Sequence, residues 1–176
     1  MFISSLILAL GSCATSKVQE SNEAGGENFD KIVQQTQIKQ SVEMRRFIIK
    51  FDRLYYANGG RIDLVPKTNY IILDGERAII NAAYIGRQFS YRPIAGINMT
   101  GNTIVYERKD NSKGYYEIRL KVQNDANTFD VFLTINYDGY CNVSITNNRL
   151  DHIRYNGNFV PLKPREEEKP SEDTVI

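Results

Sequence analysis

The stretch that decides the fold is FDVFLTINYDGYCNVSI, residues 129–145. Apolar and polar residues alternate on both sides of Asp138-Gly139, as in two half-buried antiparallel strands joined by a turn. A two-residue loop on Asp138-Gly139 would send the two apolar rows to opposite faces, because a slip of one residue reverses every side chain. A three-residue loop, 137–139, with Gly139 left-handed keeps both rows on one face. The predicted pairs are Ile135 with Cys141, Leu133 with Val143 and Val131 with Ile145.

The same period of two residues continues through most of the chain from Phe47 onward. It is clearest in 115–122, where the alternation predicts an inward row of Tyr116, Ile118, Leu120 and Val122. Turn-forming residues separate short apolar runs at regular intervals. We therefore expect an α+β domain over residues 29–162. It is dominated by about eight antiparallel strands, arranged as a meander or a partly closed barrel.

A second hairpin is predicted at Asp74-Gly75, where a two-residue loop would pair Leu73 with Glu76 and Ile71 with Ala78. This register places an apolar set on one face, namely Ile71, Leu73, Ala78, Ile80, Ala82 and Tyr84.

One helix is predicted over residues 29–46, before the strands begin. Neither Gly nor Pro interrupts this segment, and Asn28 could cap it. A loose 3.6-residue stripe would pack the helix on the sheet, namely Phe29, Ile32, Val33, Thr36, Ile38 and Val42.

The two ends of the chain differ in composition from this domain. Residues 1–10 are apolar but too short to span a bilayer as a helix, and Leu10-Gly11-Ser12-Cys13 resembles a bacterial lipobox. That resemblance implies removal of residues 1–12, a lipid on Cys13 and attachment to a membrane. The alternative is a disordered or buried apolar N-terminus with an ordinary cysteine. One departure from a signal peptide is that no Lys or Arg precedes the apolar run. Residues 13–28 are predicted as a flexible tether, and 163–176 as a disordered acidic tail.

The charge balance argues against one class of partner. The net charge is only +1, with 22 Lys and Arg residues against 21 Asp and Glu residues. Nucleic-acid binders usually carry a strong basic excess that neutralises phosphates, so we expect no nucleic-acid partner.

Few residues could carry chemistry. His152, the only histidine, could act as a base for Cys141, yet the predicted register buries Cys141 in an apolar row, where a thiol is inert. One His and one free Cys cannot form the usual zinc sets. The oxygen-rich stretches 110–114 and 124–127 could hold Ca²⁺ but are also ordinary turn formers. No phosphate loop or cofactor motif is present, so we assign no catalytic residue, metal or cofactor.

The best candidate for a binding segment is the connection 86–96. It carries Arg87, Phe89, Tyr91 and Arg92, residue types favoured at interaction hot spots. The alternative is that Phe89 and Tyr91 continue a strand or cover the sheet.

Several short motifs, taken in order, resemble one family of lipoproteins from Gram-negative bacteria. They are Phe47, 52–55, 69–78 centred on Leu73-Asp74-Gly75, Gly86, Gly157 and 160–162. The family is catalogued as domain of unknown function 4251. The resemblance implies an exported lipoprotein with a helix before a run of strands, and it supplies no catalytic or ligand residues.

The sequence thus predicts a lipoprotein of the cell envelope, in the outer membrane, that binds a small ligand or an envelope protein without catalysis. The alternatives are an inhibitor or partner-protein module and, less favoured, a hydrolase using Cys141 and His152.

Overall fold

The computed structural model describes residues 21–56, 59–86 and 96–163, with side chains from residue 28 onward in the first range. These residues form one helix and nine strands. They are α1 (Ser21–Glu43), β1 (Arg46–Tyr55), β2 (Arg61–Asp63), β3 (Tyr70–Asp74), β4 (Arg77–Ala83), β5 (Gly96–Asn111), β6 (Tyr115–Gln123), β7 (Thr128–Asn136), β8 (Tyr140–Asn147) and β9 (Leu150–Pro161).

The strands form one antiparallel sheet that closes on itself. From β3 to β9 each strand pairs with the next along the chain, and β9 then pairs with β1, which also pairs with β3. Eight strands therefore make a barrel, while β2 pairs with the last three residues of β1. The predicted α+β class with mostly antiparallel strands is confirmed. The predicted count of about eight matches the barrel, and the barrel is closed.

The interior of the barrel is filled by apolar side chains, as expected for eight strands. The predicted inward row of β6 is confirmed, since Tyr116, Ile118, Leu120 and Val122 are all buried. At the junction of β1 and β9 the rings of Phe51 and Tyr155 stack with centroids 4.6 Å apart. The other fully buried large side chains are Phe47, Ile38, Ile49, Leu54, Ile71, Leu73, Ile80, Ile135 and Ile145.

The hairpin of β7 and β8 has the predicted register. Ile135 pairs with Cys141 and Leu133 with Val143, so the loop is 137–139. Gly139 has φ 86°, in the left-handed region that glycine adopts without a steric cost.

The strand pairing predicted for the hairpin of β3 and β4 is wrong, because the two-residue loop lies one residue later in the chain than predicted. Leu73 pairs with Ala78, and the two loop residues are Gly75 and Glu76. Gly75 has φ 66° and occupies the first central position, as in a type II′ turn, whereas the prediction placed glycine second. The shift preserves the faces of the strands, so the predicted apolar set from Ile71 to Tyr84 is buried.

The helix differs from its prediction in extent and packing. It begins at Ser21, inside the segment predicted as a tether, so Asn28 lies within it and is not its cap. Of the predicted stripe, Ile38 and Val42 are buried, whereas Phe29, Ile32 and Val33 are exposed. The C-terminal half of α1, which contains both of these buried residues, covers one end of the barrel.

Polar contacts attach this half of α1 to the barrel, among them an ion pair in which Arg108 Nη1 lies 3.7 Å from Glu43 Oε1. The Gln34 side chain donates a hydrogen bond to the Asp138 carbonyl at 2.8 Å. The Tyr106 hydroxyl donates to the Val42 carbonyl at 2.7 Å, and the Arg45 guanidinium lies 4.5 Å from the centre of the Tyr106 ring. The helix end and β5 are therefore fixed to each other.

The pairing of β1 with β9 depends on a glycine. A bulge interrupts this pairing between Phe51 and Arg53, and Gly157 of β9 lies opposite Phe51. A Cβ atom at Gly157 would lie 2.2 Å from the Lys50 carbonyl oxygen, so no other residue fits without moving a strand.

At the barrel end opposite the helix, Asn69 is a buried polar residue that connects three strands. Its Oδ1 accepts the Ala83 N–H at 2.7 Å, and its Nδ2 donates to the Val65 carbonyl at 3.0 Å. Its own carbonyl accepts the Phe51 N–H at 2.8 Å. Asn69 therefore holds β1, β3 and β4 together.

Candidate functional site

Several residues proposed from the sequence lie outside the described residues. They are Cys13 with the signal segment before it, the four loop residues Arg87, Phe89, Tyr91 and Arg92, and the tail from 164 onward. In the described part of the chain, no helix is both long and apolar enough to cross a bilayer.

The sheet separates the two residues of the hypothetical cysteine–histidine pair. Cys141 points into the barrel and is fully buried, with its Sγ 3.4 Å from the Gly139 carbonyl oxygen. Burial, and then the nearby Asp138 charge, raise the pKa of this thiol far above its ordinary value, so it stays protonated. His152 is exposed on the outer face of β9. The two side chains therefore cannot act as nucleophile and base.

His152 instead hydrogen-bonds Ser144, its neighbour on the outer face of β8, through Nε2. A seryl nucleophile also needs a group that orients the histidine and donors that stabilise an oxyanion. β8 pairs with strands on both edges, so its backbone N–H groups are hydrogen-bonded within the sheet. The described residues therefore show a serine–histidine hydrogen bond, and the backbone of β8 supplies no oxyanion hole beside it.

The two oxygen-rich stretches are turns held by their own asparagines. Asn124 Oδ1 accepts the N–H groups of Ala126 and Asn127 at 3.0 and 2.9 Å. Asn111 Oδ1 accepts the Lys113 N–H at 3.0 Å. Among the described residues, no three His, Cys, Asp or Glu side chains cluster as metal ligands would. The asparagine oxygens are thus explained by turn geometry.

A different set of residues comes together on the outer face of the barrel. Tyr55 lies directly opposite Arg154, Arg154 opposite Ser144, and Ser144 opposite Phe132. These four side chains form one row across β1, β9, β8 and β7. Phe132 is 46% exposed, so its ring is accessible from the solvent side of the sheet.

This row crosses a shallow concavity of about 510 Å³, which we call the outer groove. Tyr55 and Phe132 lie at its two sides, and the polar side chains of Thr134, Asn142 and Asn156 lie beside the row. Volumes in this range are typical of small-molecule sites.

Among the described residues that line the outer groove, Arg154 is the only charged one. Within the part of the chain that the structure describes, it forms no ion pair. Its guanidinium is therefore available to a ligand.

The surface on the other side of Phe132 has the opposite character. A smaller concavity of about 350 Å³ there is lined by several charged residues of β5 and β6. The guanidinium nitrogens of Arg119 lie 3.7 Å from a carboxylate oxygen of Glu107 and 3.9 Å from one of Asp130. Nε of Arg108 lies 3.0 Å from a carboxylate oxygen of Asp110. These charges neutralise one another, so the outer groove is the better candidate for recognising a ligand.

Reasoning from the sequence missed the outer groove. One signal was present, because Phe132 sits between Asp130 and Thr134 in the polar row of its strand. The meeting of Phe132 with Arg154 and Tyr55 depends on the registers of four strands, and Tyr55 joins the row only through barrel closure.

One known protein family has the sequence pattern of this chain. The family model "Domain of unknown function (DUF4251)" matches residues 30–159, most of the described barrel and helix. The chain belongs to this family. The resemblance predicted from the sequence motifs is therefore confirmed.

A solved structure supports the fold of the family. The chain is similar to the crystal structure of a DUF4251 family protein from Bacteroides eggerthii DSM 20697, with a TM-score of 0.62 at 16% identity. The match covers 73% of this chain and 88% of that chain. None of the curated proteins compared with the chain matches it significantly.

Proposed function

We propose that the chain is a lipoprotein of the cell envelope whose barrel binds a ligand in the outer groove without reacting with it. The observation that carries the binding role is the position of Arg154. It lies between the aromatic residues Tyr55 and Phe132 in the row, and it forms no ion pair with any of the described residues. Arginine and aromatic residues are the types that contribute most to binding.

The positions of the reactive side chains support a role without catalysis. Cys141 is inside the barrel and protonated, and His152 is outside it. The pair of Ser144 and His152 lies on a fully paired region of sheet, whose backbone N–H groups are engaged with the neighbouring strands and not free to stabilise an oxyanion. Among the described residues, the groove therefore presents groups suited to holding a ligand.

The sequence around Cys13 supports the lipid anchor. The apolar run of residues 1–10 and the lipobox-like Leu10–Cys13 precede the helix, which begins at Ser21. Acyl chains contribute about 0.8 kcal/mol per buried CH₂, so several chains on Cys13 would hold the barrel at a membrane. We propose the outer membrane of a Gram-negative envelope as its location.

Intact mass of the full chain, expressed in a Gram-negative host and extracted from membranes, tests the anchor. We expect loss of residues 1–12 and the added mass of acyl chains, and Cys13→Ser should move the protein from the membrane to the soluble fraction. An unmodified Cys13 with residues 1–12 retained would contradict the anchor and leave the outer groove untouched.

A photocrosslinking residue at position 132 tests the groove. Benzoylphenylalanine replaces Phe132 in the full chain, and Thr100, exposed on the outer face of β5, is replaced as the control. We expect a crosslinked product at position 132 that disappears when Arg154→Gln is added, and none at position 100. Absence of a product at position 132 would contradict the binding role.

A further inference from the structure

We infer that the ligand of the outer groove is an acidic oligosaccharide, a short chain of sugar rings that carries at least one carboxylate. This inference rests on the proposed binding role of the groove and names the chemical class of its ligand.

The polar side chains of the groove match sugar hydroxyl groups. Thr134, Ser144, Asn142 and Asn156 supply hydroxyls and amides, which both donate and accept hydrogen bonds, as vicinal sugar hydroxyls also do. Two of these groups are already oriented. Asn156 donates to the Tyr140 hydroxyl, and Ser144 is held by His152. Oriented side chains lose less conformational entropy when a ligand binds.

The two aromatic residues match the apolar faces of sugar rings. The C–H groups on one face of a pyranose pack on an aromatic ring, which leaves the hydroxyls at its edge for polar groups. Tyr55 and Phe132 are separated by three strand spacings, so their backbones are about 14 Å apart at about 4.8 Å per strand. That distance exceeds one sugar ring and suits a chain of two or three.

Arg154 supplies the preference for an acid. Its guanidinium lies in the row between Tyr55 and Ser144, so a ligand that contacts both aromatic residues must cross it. A guanidinium binds a carboxylate through two parallel hydrogen bonds, a geometry that neutral hydroxyls do not satisfy equally. A uronate ring above Arg154 is the arrangement that uses all of these groups.

The closed barrel disfavours a peptide as the ligand. Peptides that bind to sheets usually add a strand at a free edge, where their backbone groups find partners. The four strands under the groove, β1, β7, β8 and β9, are each paired on both sides along the row. The groove thus offers side chains alone, which suits a ligand recognised through hydroxyls and a carboxylate.

Calorimetric titration of the full chain, extracted in detergent, tests the inference. The probes are trimers of galacturonate, guluronate and mannuronate, each compared with its methyl ester, which keeps the sugar and removes the charge. We expect at least one free acid to bind at least about tenfold more tightly than its ester, the size of a lost charged hydrogen-bond pair.

Two variants assign that preference to the groove. Arg154→Gln should abolish the difference between acid and ester, and Phe132→Ala should weaken the binding of both. Arg77→Gln, which removes an equal charge from an exposed position on β4, is the matched control and should change neither.

The outcomes separate this inference from the proposed function. If acid and ester bind equally, or if no sugar binds while the crosslink at position 132 forms, the inference is overturned and the binding role stands. A crosslinked product that is a peptide also overturns it. Absence of any product at position 132 would overturn both.

Discussion

Residues of β9 and its neighbouring strands face the inside and the outside of the barrel alternately, and the two faces differ in chemistry. Ile153 and Tyr155 point into the barrel and are buried, as is Gly157 at the next inner position, whereas His152 and Arg154 are exposed outside it. The inner face is apolar and closely packed, and the outer face has an arginine without an ion pair between two aromatic residues. The difference teaches that stability and binding are divided between neighbouring residues of the same strand, so substitutions can separate them.

The largest effect is expected from Gly157→Ala, on the inner face. The added Cβ would lie 2.2 Å from the Lys50 carbonyl oxygen, a backbone atom, so the pairing of β1 and β9 must open. We expect a loss of at least about 3 kcal/mol in the free energy of unfolding, or failure to fold, measured by urea denaturation. Asn158→Ala, at the exposed neighbouring position, should cost less than about 1.5 kcal/mol. Equal losses would break the comparison between the faces.

A smaller loss is expected from Asn69→Ala, at the barrel end opposite the helix. The substitution leaves the Ala83 N–H without its acceptor, and an unsatisfied buried donor costs about 1–3 kcal/mol. Thermal or urea unfolding measures the loss. Thr68→Ala removes a hydroxyl that donates to the Val65 carbonyl and accepts from Asn69 Nδ2, and it should cost less than Asn69→Ala because it leaves the bond from Ala83 N–H to Asn69 Oδ1 in place. A neutral Asn69→Ala would mean that water replaces the amide.

The alkaline limit of stability should report on Tyr106, which lies under the end of the helix. Burial raises the pKa of Tyr106 to about 12, against the opposing effect of Arg108 and Arg45, whereas the unfolded value is near 10. The stabilisation is therefore present below pH 10 and is lost as the pH rises through about 12. We expect the free energy of unfolding to fall over this window, and to fall less steeply in Tyr106→Phe. Equal slopes would contradict the link between burial and ionisation.

The smallest effect on stability is expected from Phe132→Ala, on the outer face. Removing this half-exposed ring should change the free energy of unfolding by no more than about 0.5 kcal/mol. Phe51→Ala, the matched substitution inside the barrel, should cost about 3–5 kcal/mol. Urea denaturation of both variants sharpens the comparison. A large loss in Phe132→Ala would make that ring part of the fold.

The local parts of the fold could be predicted from the sequence. The loop 137–139 was accessible because only one register puts Leu133 and Val143 on the same face. The same argument placed Cys141 inside the barrel. Gly75 was assigned to the wrong turn position because Asp-Gly sequences suit more than one turn, and both turns preserve the faces. The helix start was missed because residues 21–28 lack an apolar pattern.

Contacts between distant parts of the chain could not be predicted. Nothing near Phe47 or Phe159 indicates that β1 and β9 pair, because alternation describes a strand and not its partner. The candidate site was missed for the same reason, since Tyr55 meets Arg154 only across this pairing. The sequence correctly favoured a buried Cys141, but its proposed binding residues, from Arg87 to Arg92, lie outside the described residues.

The pairing of β1 with β9 also determines when the protein can fold. Ile49 of the first strand pairs with Phe159 of the last, so β1 cannot complete its hydrogen bonds until β9 is present. Contacts between residues so far apart in the chain form slowly. If the chain is exported from its N-terminus, as the proposed lipid anchor would require, β1 would cross the membrane before β9 and would have no partner until β9 had followed. A chain truncated before Leu150 would leave β1 and β8 with unpaired edges, which invite aggregation. Closure of the barrel would thus delay folding until export is complete.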